Sequence, residues 1–267
     1  MTTAPAKPGP IDIGAILSRI AEIYGQYVGP LLLSALIVFL PIGVAAAILS
    51  GNAAGALVLF VLSIVATLWY TGVVVRLVQD VQDGRLDASV GQLFGSVTPV
   101  LLPLFGLGIV AGIAIGVGFV FLIVPGLILL TIWAVAAPVL VIEQAGVFAS
   151  LGRSRELVRG NGWQVFGVIV AIFAFEMVLG LVLSAIGAIG DSAVLRSIVQ
   201  IGVNVVLAPV SALAASTIYF ALVEARPALP GEGFAPPQAP AAPPAAGTDA
   251  FGNPVSPGSS QASPPGA

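Results

Sequence analysis

An all-α, polytopic membrane bundle of six transmembrane helices is the fold class this sequence predicts, and three observations predict it. Only 8% of the 267 residues are charged and 58% are hydrophobic, whereas a soluble domain carries roughly 25% charged residues. No charge stands between Glu22 and Arg76, or between Asp87 and Glu143. A bilayer core takes about 20 apolar residues per helix, so each gap holds two spans and a short turn. Finally, Lys7, Arg19, Arg76, Arg85, Arg153, Arg155, Arg159 and Arg226 fall on one side of a six-span layout and Arg196 on the other. Basic residues near span ends stay in the cytoplasm, so both termini are expected to face inward.

The spans are predicted at 29–50, 53–75, 99–123, 126–142, 163–187 and 198–222. Pro125-Gly126 is read as the turn between the third and fourth, inside one long apolar run. The fourth is short for a perpendicular crossing. Pro41, Pro138 and Pro209 are expected to kink their spans rather than end them, because neighbouring helices re-satisfy freed carbonyls in lipid. Tyr24, Tyr27, Tyr70, Trp163 and Tyr219 gather on the basic side, as an interfacial aromatic belt does.

An amphipathic stretch precedes each of three hairpins. The first aligns Ile13, Ile16, Leu17, Ile20, Ile23, Tyr24 and Tyr27 opposite Arg19, Glu22 and Gln26. The second aligns Leu86, Val90, Leu93, Phe94 and Val97, and the third Val147, Phe148, Leu151 and Val158. Helical spacing of this kind fits three cytoplasmic interfacial helices. Three units, each an interfacial helix plus two spans, make a threefold parallel repeat the simplest layout. Residues 1–10 and the Pro/Ala/Gly/Ser-rich tail 227–267 flank the six-helix membrane domain, 11–226, and are expected to be disordered. No apolar run precedes Ile11, so no cleavable signal peptide is expected and the first span directs insertion.

With no Cys and no His, the chain lacks thiol nucleophiles, imidazole bases and the commonest zinc ligands. No Walker A, nucleophile elbow or paired-carboxylate spacing occurs, so neither a catalytic residue nor a cofactor or metal is expected. Asp80, Asp83 and Asp87 around Gly84 lack the register and terminal Glu of a calcium loop and read as a solvated inner loop. The net charge of −3 does not point to nucleic acid.

Three groups remain as candidate sites. Glu176 is the one ionisable side chain deep in a span, where a carboxylate costs about 2.5–3.5 kcal/mol on insertion scales and needs a partner or a proton. Arg196, Gln200 and Asn204 recur every four residues on the last span, and Asn204 comes within roughly 5 Å of the depth of Glu176 on an antiparallel neighbour. That arrangement serves either a site for a proton, ion or headgroup or a single interhelical hydrogen bond. Arg153, Arg155 and Arg159 ahead of the fifth span either hold anionic headgroups or fix topology. Gly108, Gly112 and Gly116 form a helix-packing seam, within the chain or between copies.

Several stretches taken together resemble the membrane-domain family named after bacterial glycerophosphoryl diester phosphodiesterases. They are Ile13–Tyr24 with Gly29-Pro30, Val124–Pro138 running into Val141-Ile-Glu143, Ala149–Gly160 with Trp163, and Ala208-Pro-Val through Ile218-Tyr-Phe220. The resemblance spans roughly residues 11–226 and implies a multi-pass protein of the bacterial inner membrane. Some members of that family carry a catalytic domain after the membrane part; here only the tail follows, Ala221 replaces an expected Asp, and there is no His. Phosphodiesterase activity is therefore not expected. The leading expectation is a non-enzymatic protein that binds or organises membrane lipids or assists a membrane-protein partner. A small transporter using Glu176 is the rival, and a membrane-embedded enzyme comes third.

Overall fold

The computed structural model describes residues 11–49, 52–83, 87–188 and 193–225, without the side chains of Ala47, Asp83, residues 186–188 and 193–198, and Gln200. The two terminal segments expected to be disordered, and Arg85 and Leu86, lie outside the described residues.

Helix α1 (Ile13–Gln26) starts at Asp12, whose extended backbone and carboxylate, accepting the Gly14 N–H at 2.8 Å, make a good N-cap. It buries Ile16, Ile20 and Ile23, as the spacing predicts, while Arg19 and Glu22 pair at 3.0 Å on the exposed face. Only Tyr27 separates it from α2 (Val28–Leu49). Asn52 caps α3 (Ala53–Asp80) through the Gly55 N–H. Ser89 and Gln92 then form a capping box that starts α4 (Val90–Val97). Helix α4 buries Leu93 and Val97 and continues through one 3-10 turn, Thr98–Val100, into α5 (Leu101–Phe121).

The corner between the third and fourth spans falls earlier than predicted. Leu122 is extended (φ −161°, ψ 140°), and Pro125-Gly126 lies in the first turn of α6 (Ile123–Ile132). Proline tolerates the first turn of a helix, where its missing N–H has no partner anyway, so the dipeptide opens this span rather than separating two. Bare glycine backbone sets the closeness of the hairpin. A Cβ on Gly118 would stand 3.0 Å from the Gly126 backbone, and one on Gly126 would stand 2.6 Å from the Phe119 ring.

The fourth span is broken as well. A turn at Trp133–Val135 separates α6 from α7 (Ala136–Glu143), because Pro138 cannot donate to the Ala134 carbonyl and its ring crowds that turn. Pro41 and Pro209, in contrast, stay inside unbroken helices. Gln144 ends α7 in the left-handed region (φ 51°), and α8 (Val147–Val158), α9 (Gly162–Ala188) and α10 (Ala193–Glu224) complete the chain. Helix α8 corrects the predicted stripe. Phe148 is 76% exposed, and the buried face is Ser150, Leu151, Ser154, Leu157 and Val158. Two serines go inside because each hydroxyl has an acceptor there: Ser150 on the Gly146 carbonyl, Ser154 on that of Ile132.

Among the described residues six helical segments are long and apolar enough to cross a membrane. The closing span of each hairpin is the inner one. Its most apolar window is 33%, 39% and 56% buried in chain order, against 22%, 11% and 17% for the opening spans. Helices α3, α7 and α10 pack on one another, and Tyr70, Val73, Leu77, Val139, Leu213 and Ile218 form the centre of the core. Each short helix rests on the closing span of the hairpin before it in cyclic order: α1 on α10, α4 on α3, α8 on α7. Large apolar side chains such as Leu57, Phe60, Ile113 and Phe173 face outward, as lipid contact requires.

Candidate functional site

A polar cleft opens at mid-span where α2, α3, α9 and α10 meet. Glu176, fifteenth residue of α9 and roughly 21 Å along the axis from its start, lines a cavity of 180 Å³ with Thr67, Tyr70, Thr71, Asn204 and Ser211. A second cavity of 310 Å³ shares Phe39, Thr67 and Asn204 and adds Ser63 and Ile201. The structure thus brings Glu176 and Asn204 together, as their predicted depths require. The side chains of Arg196 and Gln200 lie outside the described residues. Ser211 approaches the Glu176 carboxyl closely enough to interact with it. Glu176 Oε1 is buried and has no hydrogen-bond partner among the described residues. Close packing shapes this cleft: a Cβ on Gly43 of α2 would collide with Ile201 of α10.

The α3 wall of the cleft was missed by sequence reasoning, although its signal is plain. Ser63, Thr67 and Thr71 recur every four residues and therefore share one face. Each hydroxyl donates to the carbonyl four residues earlier, on Leu59, Ser63 and Thr67, at 2.7, 2.8 and 2.8 Å. Tyr70 Oη donates to the Leu31 carbonyl at 3.2 Å.

A second cluster lies at the end of the bundle that carries the short helices. Glu143, last residue of α7, accepts the Tyr219 O–H at 3.0 Å and pairs with Arg153 Nε at 3.4 Å. Arg153 also reaches Glu156 at 3.8 Å. Of the three arginines read as headgroup contacts, Arg153 is thus tied into a bridge between α7, α8 and α10. Arg155 and Arg159 are exposed and form no ion pair among the described residues, and Trp163 beside them is 84% exposed. Asp80 accepts the Asp87 and Ala88 backbone N–H groups at 2.9 Å each, so it ties the end of α3 to the residues just ahead of α4.

Two more cavities flank α1. One, of 570 Å³, is lined almost wholly by apolar groups, with Leu17, Ile20 and Tyr24 facing Ile172, Phe175 and Val206. Burial there pushes the Tyr24 phenol above its ordinary pKa, and its O–H donates to the Val206 carbonyl at 3.2 Å. The other, of 640 Å³, has Asp12, Arg19, Gln82, Thr217 and Glu224 in its wall. Of the glycine seam, only Gly108 meets another helix, with a Cβ there standing 2.9 Å from Leu68; Gly112 and Gly116 have nothing within 4 Å. Among the described residues no three His, Cys, Asp or Glu side chains gather where a metal could be held.

Six apolar spans with an inner ring of closing helices define a multi-pass α-helical membrane protein. The chain belongs to the uncharacterised protein family UPF0259, whose pattern matches residues 52–218, from the start of α3 to the last turns of α10. No curated protein matches the chain. No solved structure matches it either.

Proposed function

We propose that this protein is a non-enzymatic component of the bacterial inner membrane that binds and orders phospholipids at the cytoplasmic face. The observation that carries the proposal is the apolar cavity between α1, α9 and α10. Its 570 Å³ lies in the range of small-molecule sites, about 300–1,000 Å³, and its occupant in this reading is an acyl chain. In this reading the headgroup sits at Arg155, Arg159 and Trp163, between the end of α8 and the start of α9. Ala171, in the cavity wall, lies eight residues beyond Trp163 on α9, or about 12 Å along the axis. A phosphate beside Arg155, Arg159 and Trp163 therefore leaves its chain at cavity depth. Arginines near an anionic surface contribute about 1 kcal/mol each.

The surrounding architecture belongs to the same reading. We take α1, α4 and α8 as cytoplasmic interfacial helices of a threefold parallel repeat; their cyclic packing on α10, α3 and α7 supports it. Both termini then lie inside, in keeping with the distribution of Lys and Arg. The likeness of Val124–Pro138 and Ala149–Gly160 to phosphodiesterase membrane domains fits a lipid-facing role without catalysis. A membrane-protein partner is compatible with this role.

The test is lipid retention, measured by native mass spectrometry of the full chain released from a mild detergent. Wild type is expected to carry phospholipid of the anionic class. Ala21→Trp fills the cavity, and Arg155→Gln with Arg159→Gln removes the rim charge; each should reduce the bound fraction several-fold at unchanged helical content. Equal retention in all three proteins would refute the assignment.

A further inference from the structure

We propose that the mid-span cleft is a binding site for a small monovalent cation, an alkali-metal ion or ammonium. This inference is independent of the lipid reading and rests on the hydrogen-bond polarity of the walls. The hydroxyl protons of Thr67 and Thr71 are given to carbonyls of α3 and that of Tyr70 to the Leu31 carbonyl. What these groups turn into the cavity is oxygen lone pairs. Glu176 adds a carboxylate whose Oε1 is buried and unpartnered among the described residues, and the Asn204 amide adds a carbonyl oxygen alongside its own NH2 group. An acceptor-lined cavity attracts donors and cations and repels anions.

Charge and size narrow the class. Among the described residues no Lys or Arg lines either of the two adjoining cavities, and Glu176 is the acid in their walls. One carboxylate neutralises one positive charge, and a neutral pair is the form in which a membrane interior tolerates an ion. A divalent ion would leave a charge uncompensated. Neutral and anionic oxygens without nitrogen or sulfur ligands suit hard cations. The 180 Å³ cavity holds about six waters at roughly 30 Å³ each, enough for an ion that keeps part of its hydration shell.

The experiment follows thermal unfolding of the full chain in mild detergent at constant ionic strength. Sodium, potassium and ammonium chloride are compared with N-methyl-D-glucamine chloride. At least one small cation is expected to raise Tm saturably, as ligand linkage requires. Glu176→Gln should abolish the rise. Thr67→Val with Thr71→Val keeps the charge but removes two oxygens, and should raise the half-saturating concentration at least tenfold. Identical Tm values in all four salts overturn the proposal and leave Glu176 as a packing residue. A cation-specific rise that survives Glu176→Gln overturns it too. Should Glu176→Gln fail to fold, the threonine pair decides: an unchanged half-saturation point refutes the site.

Discussion

Replacing Ser154 by alanine removes one oxygen atom from a fully buried position in α8, and the structure sets the size of the effect. Its hydroxyl donates to the Ile132 carbonyl at 2.8 Å, across the break between α6 and α7. In a continuous helix that carbonyl would receive the Ala136 N–H, but here Ala136 donates to Trp133 at 3.1 Å. Interhelical hydrogen bonds in membranes average about 0.6 kcal/mol, which is the floor. A buried carbonyl left without a partner costs about 1–3 kcal/mol, and α8 covers this one from the side. Ser154→Ala is therefore expected to destabilise by about 1–2 kcal/mol. Ser150 supplies the control: it is equally buried, but its hydroxyl donates to a Gly146 carbonyl that already receives the Ser150 N–H at 2.8 Å. Ser150→Ala strands nothing and should cost under about 0.5 kcal/mol. Equilibrium unfolding in mixed micelles of increasing dodecyl sulfate fraction would measure both. Equal losses in the two variants would show that the helix break does not need the Ser154 hydroxyl.

Gly126→Ala should destabilise by about 1–3 kcal/mol through overpacking against Phe119. Gly116→Ala, with open space around it, should be neutral or slightly stabilising in the same titration. Tyr219→Phe removes the hydrogen bond from α10 to Glu143 and should lower stability by about 1 kcal/mol, with Arg153→Gln giving a comparable, non-additive loss in a double-mutant cycle. Reporter fusions after Gly84 and after Arg226 should read cytoplasmic and one after Gly51 periplasmic; a periplasmic reading after Arg226 would break the even-span layout.

The number of spans was legible in the sequence because a bilayer selects on length and charge alone, and the gaps from Glu22 to Arg76 and from Asp87 to Glu143 state both. The buried face of α1 was legible for a related reason: Ile16, Ile20 and Ile23 are apolar, their opposite face is charged, and periodicity reports that contrast. Glu176 was conspicuous as a lone carboxylate in an apolar run, and Asn204 followed from rise per residue. Tertiary structure decided the rest. Whether a span lies inside or outside the bundle is invisible to hydropathy, since lipid and core accept the same residues; only packing puts α3, α7 and α10 at the centre. A serine reads as polar until a stranded carbonyl is found opposite it, which is why the buried face of α8 runs through Ser150 and Ser154 and leaves Phe148 outside. The corner at Leu122 and the break before Pro138 depend on which neighbours satisfy the freed backbone groups. The Ser63–Thr67–Thr71 stripe becomes the wall of a cleft only because α9 and α10 bring Glu176, Asn204 and Ser211 against it. Hydroxyl protons settle on the nearest carbonyl, and that geometry belongs to the folded bundle, not to the chain.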